Sequence, residues 1–181
     1  MMEPPAGRQL ISREEVARRV EELGREISTA YADEELLVVG VLRGGAVFTA
    51  DLIRQLRLQV HLDFVAVSSY GKAASTSGKV RLVKDVDEQV AGRNVLLVED
   101  IVDTGLTLRT LRQEFAARNP KDLRVCAFLD KPSRRLTAVQ VEYVGFTIPD
   151  EFVVGYGLDY SGRYRNLPYI FALSPEVYQP K

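Results

Sequence analysis

A chain of 181 residues with 46% hydrophobic and 27% charged residues and a net charge of −1 has the length and make-up of one folded unit with a full core. The near-neutral charge excludes a global basic field for nucleic acid; the single cysteine, Cys126, excludes an internal disulfide, and the single histidine, His61, argues against histidine triads and zinc clusters. No apolar run reaches membrane-spanning length and no signal peptide opens the chain, so the expectation is a cytoplasmic protein with neither a membrane nor a nucleic-acid partner.

Residues Met1 to Leu10, with two prolines, read as a loose terminus. Ser12-Arg13-Glu14-Glu15 has the spacing of a capping box, and Val16, Val20, Leu23 and Ile27 then fall on one face of a helix running to about Ala30. Leu36 to Leu42 is a continuous apolar run, expected of a strand buried on both faces. It ends at Leu42-Arg43-Gly44-Gly45, with a helix over Ala46 to Leu56. That Gly turn is either an anion site with Arg43 as a fixed charge or a tight turn with a solvated arginine. Val60 to Ser68 reads as a third strand. Ser69 to Lys79 is small, polar and Gly-flanked, either a plain surface loop or a lid that closes over substrates. A strand over Val80 to Lys84 and a turn at Ala91-Gly92-Arg93-Asn94 follow.

The chain is organised around the stretch that comes next. Val95 to Val98 are four apolar residues of a buried parallel strand. Glu99 and Asp100 stand where that strand is expected to end, Asp103-Thr104-Gly105-Leu106-Thr107 forms a short polar loop, and a helix over Leu108 to Arg118 is stopped by Pro120. Gly105 lets the backbone bend. The amides of Asp103 to Thr107, at a helix N-terminus, suit a phosphate monoester. Two adjacent carboxylates suit a diol or a hydrated Mg²⁺ instead. A phosphate, a diol and a metal side by side describe a phosphorylated ribose. A Walker A lysine and a G-x-G-x-x-G turn are both missing.

Further on, Arg124 to Leu129 reads as a strand ending at Asp130-Lys131-Pro132-Ser133, with Lys131 at its carboxyl end. Val141 to Phe146 is another strand. Ile148 to Tyr160 follows, with Phe152 and Val153 as plausible core residues on their own. Tyr169 to Leu173 is a closing strand, and the tail carries no signal.

The central stretch resembles the signature of type I phosphoribosyltransferases, and Asp103 makes it similar to the 6-oxopurine branch of that family. The resemblance covers about Val38 to Leu167. It implies an α/β fold with a mainly parallel central sheet flanked by helices. It also implies a small hood built from the N- and C-terminal segments and a mobile lid over about residues 69–79, in a single domain spanning residues 1–181. The expected reaction carries the 5-phosphoribosyl group of phosphoribosyl pyrophosphate to N9 of hypoxanthine or guanine. Residue by residue, the resemblance assigns the ribose and its 5′-phosphate to Glu99, Asp100, Asp103, Thr104, Gly105, Leu106 and Thr107, with Asp103 as the acid/base at N7 of the purine. It assigns pyrophosphate to Arg43, Gly44, Ser69, Tyr70 and Arg165, with a cis peptide between Leu42 and Arg43; the family often has lysine where Arg43 stands. It assigns the purine to Lys131, Phe152, Val153 and Asp159, and Mg²⁺ to Glu99, Asp100 and Asp159. A homodimer or homotetramer is implied. Two other readings stay open: a regulator of this fold that senses the sugar without catalysis, and an enzyme that uses another base.

Overall fold

The computed structural model describes residues 6–69 and 80–179. Six strands form the larger sheet: β2 (Leu36–Leu42), β3 (Val60–Ser69), β4 (Val80–Lys84), β5 (Asn94–Val102), β6 (Asp122–Asp130) and β7 (Tyr143–Thr147), in the order β4-β3-β2-β5-β6-β7. All neighbours run parallel except β4, which closes the β3 edge antiparallel. From β2 the chain moves outward to β3, whereas from β5 it moves the other way to β6. The sheet therefore has its switch point between β2 and β5, and the crevice beyond their carboxyl ends is where an open α/β sheet takes a ligand.

Strand β5 shows why these residues make this sheet. Val95 to Val98 are completely buried. Leu96 and Val98 point into one core with α1 (Arg13–Ala30) and α2 (Gly45–Gln55), where they meet Val16, Leu23, Phe48 and Leu52. Val95 and Leu97 point into the other, against Leu108, Leu111 and Phe115 of α3 (Leu106–Ala116). Burial of each such side chain contributes about 1.5–3 kcal/mol, so a strand with no polar face is held by helices on both sides. The Ser12 capping box of α1 is present, with Glu15 N donating to Ser12 Oγ and Ser12 N to the Glu15 carboxylate at 2.8 Å.

A second, three-stranded antiparallel sheet has the order β1-β9-β8, from β1 (Gly7–Ile11), β8 (Val153–Val154) and β9 (Ile170–Leu173). Gly7 to Ile11 corrects the expectation of a loose start through Leu10. Gly7 pairs with Leu173 at the far end of the chain, and no local pattern announces so distant a partner. The tail is also more ordered than expected: Pro175–Tyr178 form a short helix, α4. Helix α3 starts and stops two residues earlier than expected, because Gly105 already supplies the left-handed turn that opens it. The proposed lid residues 70–79 lie outside the described residues.

Candidate active site

Strand β5 runs on to Val102, four residues beyond its apolar core, so Glu99 and Asp100 lie inside the strand rather than after it. Glu99 is buried, and its Oε2 has no hydrogen-bond partner. Burial and the adjacent Asp100 charge push the Glu99 carboxyl well above its usual range. Burial also raises Asp100, opposed by the Ile101 amide at 2.9 Å and by the Arg165 charge. A buried carboxylate with an orphaned oxygen beside a half-buried second one suits a cation. Among the described residues no group of three or more acidic, histidine or cysteine side chains converges on such an ion. The pair therefore fits Mg²⁺, which keeps several waters and takes one or two carboxylates beside substrate oxygens, rather than a metal held in a full protein cage.

After β5 the chain turns through Asp103 and Thr104 to Gly105, at φ +82°, which starts α3. A side chain at 105 would be strained by that angle and would press on Thr137 and Val139 at 3.1–3.3 Å. The turn encloses a cavity of about 90 Å³ lined by Glu99, Asp103, Thr104, Gly105 and Thr107 among others. The first-turn amides of α3, including those of Leu106 and Thr107, have no acceptor within the helix. The Leu106 amide meets the Thr104 hydroxyl at 3.4 Å, and the turn has the donors to suit an anion of about phosphoryl size.

Beyond β2 the Leu42–Arg43 peptide is cis, as the resemblance implies. Arg43 is exposed. A Cβ on Gly44 would fall 1.4 Å from Asp100 Oδ2, and one on Gly157 would fall 2.1 Å from the Gly44 carbonyl oxygen. The loop after β2, the Asp100 carboxylate of β5 and the loop of residues 155–165 thus touch backbone to backbone or backbone to carboxylate. Arg165 belongs to the third, donating to the Gly157 carbonyl and pairing with Asp159, whose other oxygen accepts the Gly162 amide at 2.7 Å. Gly44, Asp100, Asp159 and Arg165 are therefore brought together. Tyr70 lies outside the described residues, and Ser69 is described only as the last backbone position of β3.

On the other flank, Lys131 is buried just after β6, and Pro132 opens the 3-10 turn that follows it. Burial lowers the Lys131 ammonium below its ordinary value, and its Nζ donates to the Glu151 carbonyl. Phe152 is 37% exposed and so is not core, while Val153 is buried in β8. The Asp103 carboxylate accepts from Arg134 Nε at 3.1 Å, and its backbone carbonyl accepts from Arg135 Nη1 at 2.7 Å. Neither arginine was expected at the site. Their one signal is position, directly after Lys131-Pro132-Ser133.

Comparison with known proteins follows the same lines. Residues 8–161 match the family model described as the phosphoribosyl transferase domain. A hypoxanthine-guanine phosphoribosyltransferase of Bacillus subtilis (strain 168) is 48% identical over 179 residues, 99% of each chain. The hypoxanthine phosphoribosyltransferase of Escherichia coli (strain K12) is 50% identical over 163 residues, 89% of this chain and 92% of that one. The crystal structure of a hypoxanthine-guanine phosphoribosyltransferase from Bacillus anthracis, 48% identical, matches with a TM-score of 0.90 over 93% of this chain and 99% of that one.

Proposed function

The chain belongs to the phosphoribosyl transferase family, and from that premise we propose that it is a purine-salvage pentosyltransferase. It carries the 5-phosphoribosyl group of phosphoribosyl pyrophosphate to N9 of hypoxanthine or guanine, giving IMP or GMP and releasing pyrophosphate. The observation that carries this reading is the close approach of Gly44 to Asp100. It sets a pyrophosphate turn and a ribose-diol carboxylate against each other, within reach of one sugar.

The residue roles proposed with it are those the family resemblance implies. The cradle from Asp103 through Thr107 holds the 5′-phosphate, converting remote binding energy into alignment of C1. Arg43, the Gly44 amide and Arg165, with Ser69 and Tyr70, receive pyrophosphate as it separates from an oxocarbenium-like ribose. Lys131 donates to the 6-oxo oxygen, Phe152 stacks on the ring, and the Val153 backbone and Asp159 read its far edge. Asp103 takes or shares the N7 proton as N9 becomes nucleophilic. Glu99 and Asp100 would hold one Mg²⁺ and Asp159 a second. Bound there, the ions would neutralise charge on the leaving group. The smaller sheet acts as the hood and residues 69–79 as the lid, which would keep water from the activated sugar.

The test is direct. Purified protein with phosphoribosyl pyrophosphate, Mg²⁺ and a panel of bases is followed by ultraviolet absorbance. Hypoxanthine and guanine turn over and adenine does not. Equal use of adenine would remove Lys131 from its role, and no turnover of any base, with nucleic acid retained in a pull-down, would favour the regulator.

A further inference from the structure

The ring assigned to the purine is itself seated by another ring that the sequence left unassigned. Phe152 lies between β7 and β8, outside both strands. Its backbone is fixed, the carbonyl accepting the Leu173 amide at 2.8 Å, but the residue is 37% exposed. Among the described residues, two aromatic rings contact it. Tyr178 stacks at a centroid distance of 4.9 Å and an interplanar angle of 25°, and Tyr160 meets it edge-on at 5.6 Å and 86°.

We propose that Tyr178 is a positioning residue for the base: α4 seats its ring on one face of Phe152, fixing the plane of that ring and leaving the opposite face to the purine. The proposal rests on the reading of Phe152 as the stacking residue.

Tyr178 can do this because α4 is anchored. Ser174 N donates to the Ala6 carbonyl at 2.9 Å, and the Tyr160 hydroxyl to Val177 O at 3.0 Å. Tyr160 is also the neighbour of Asp159, which pairs with Arg165. Tyr160 therefore meets the Phe152 ring and also ties down the short helix that carries Tyr178. A free phenylalanine ring would have to be ordered by each incoming base. A ring already clamped in a stack has lost that freedom, and a stacked aromatic pair contributes about two- to tenfold to an equilibrium constant.

Steady-state kinetics on Tyr178→Ala, Tyr178→Phe, Phe152→Ala and the double variant test it. Tyr178→Ala raises the KM for hypoxanthine about three- to tenfold, with kcat within about twofold and the KM for phosphoribosyl pyrophosphate unchanged, as expected for one lost stack. Tyr178→Phe behaves as wild type. Phe152→Ala raises the base KM further, and adding Tyr178→Ala to it changes nothing more. Should Tyr178→Ala fail to fold, Tyr178→Leu fills the space without a planar ring and carries the same expectation. A base KM that is unchanged or lower in Tyr178→Ala, while Phe152→Ala raises it, overturns the proposal but not the site; a lower value would mean that Tyr178 competes with the purine. A base KM unmoved by Phe152→Ala overturns the stacking reading and the proposal with it.

Discussion

Asp103 is surrounded by cations of three kinds of accessibility: the buried Lys131, the exposed Arg134 at 3.1 Å, and the half-buried Arg135, which holds its backbone. A carboxylate so placed keeps its geometry after the loss of its charge, so Asp103→Asn separates chemistry from position. We expect kcat to fall by about 10²–10⁴-fold, the usual worth of a positioned acid/base, with the KM for phosphoribosyl pyrophosphate within a few-fold of wild type; unchanged turnover would end the assignment. Lys131→Met removes the donor from the Glu151 carbonyl and from the 6-oxo position together. Hypoxanthine use falls by about 10- to 100-fold, the effect of a lost charge-assisted hydrogen bond at a buried site, while sugar binding holds. The sequence placed these two residues near the carboxyl ends of strands, while their proposed roles come from the family resemblance. Arg134 and Tyr178 could not be placed at the site, since their partners, Asp103 and Phe152, lie 31 and 26 residues away and only the folded loops bring them together.

At the scale of elements, the parallel strands and their helices were the legible part. Continuous apolar runs marked β2, β5 and β6, and the capping box marked α1. What escaped was β1, polar over its first residues and paired only with β9. A second non-local device holds the β3–β4 edge of the larger sheet. Asp63 on β3 accepts from the amides of Phe64 and Asp87 at 2.6 Å and Glu88 at 3.0 Å, and from Lys84 Nζ at 3.3 Å, tying β3 to the segment that follows β4. Burial alone would raise this carboxyl; the three amides and the lysine outweigh it and hold it below the usual carboxylate value. Its contribution to stability is therefore complete above the unfolded-state value near about pH 4 and is lost as pH falls through the lower folded value. Asp63→Asn should cost about 2 kcal/mol at neutral pH and flatten the acid limb of a plot of Tm against pH. An unaltered acid limb would show that other carboxylates set it.

At the scale of the whole molecule, an outer cleft of about 540 Å³ runs between α1, α2 and residues 156–168, lined by Val16, Val20, Val47 and Leu167 and reaching Arg165. Val47 is among the exposed apolar side chains. We propose, from the family resemblance alone, a homodimer or homotetramer: sedimentation velocity then gives a dimer or tetramer mass, and a monomer at all concentrations refutes it.

The pairing of Gly7 with Leu173 has a further consequence, in the timing of synthesis. Strands β2, β3, β5 and β6, with the helices between them, are all made before residue 131 leaves the ribosome. Translation proceeds N-terminal first, at about 5–20 residues per second. The sheet and its phosphate cradle can therefore assemble on the nascent chain, while β1 waits unpaired for a partner more than 160 positions downstream. The smaller sheet closes last, after the final strand has emerged.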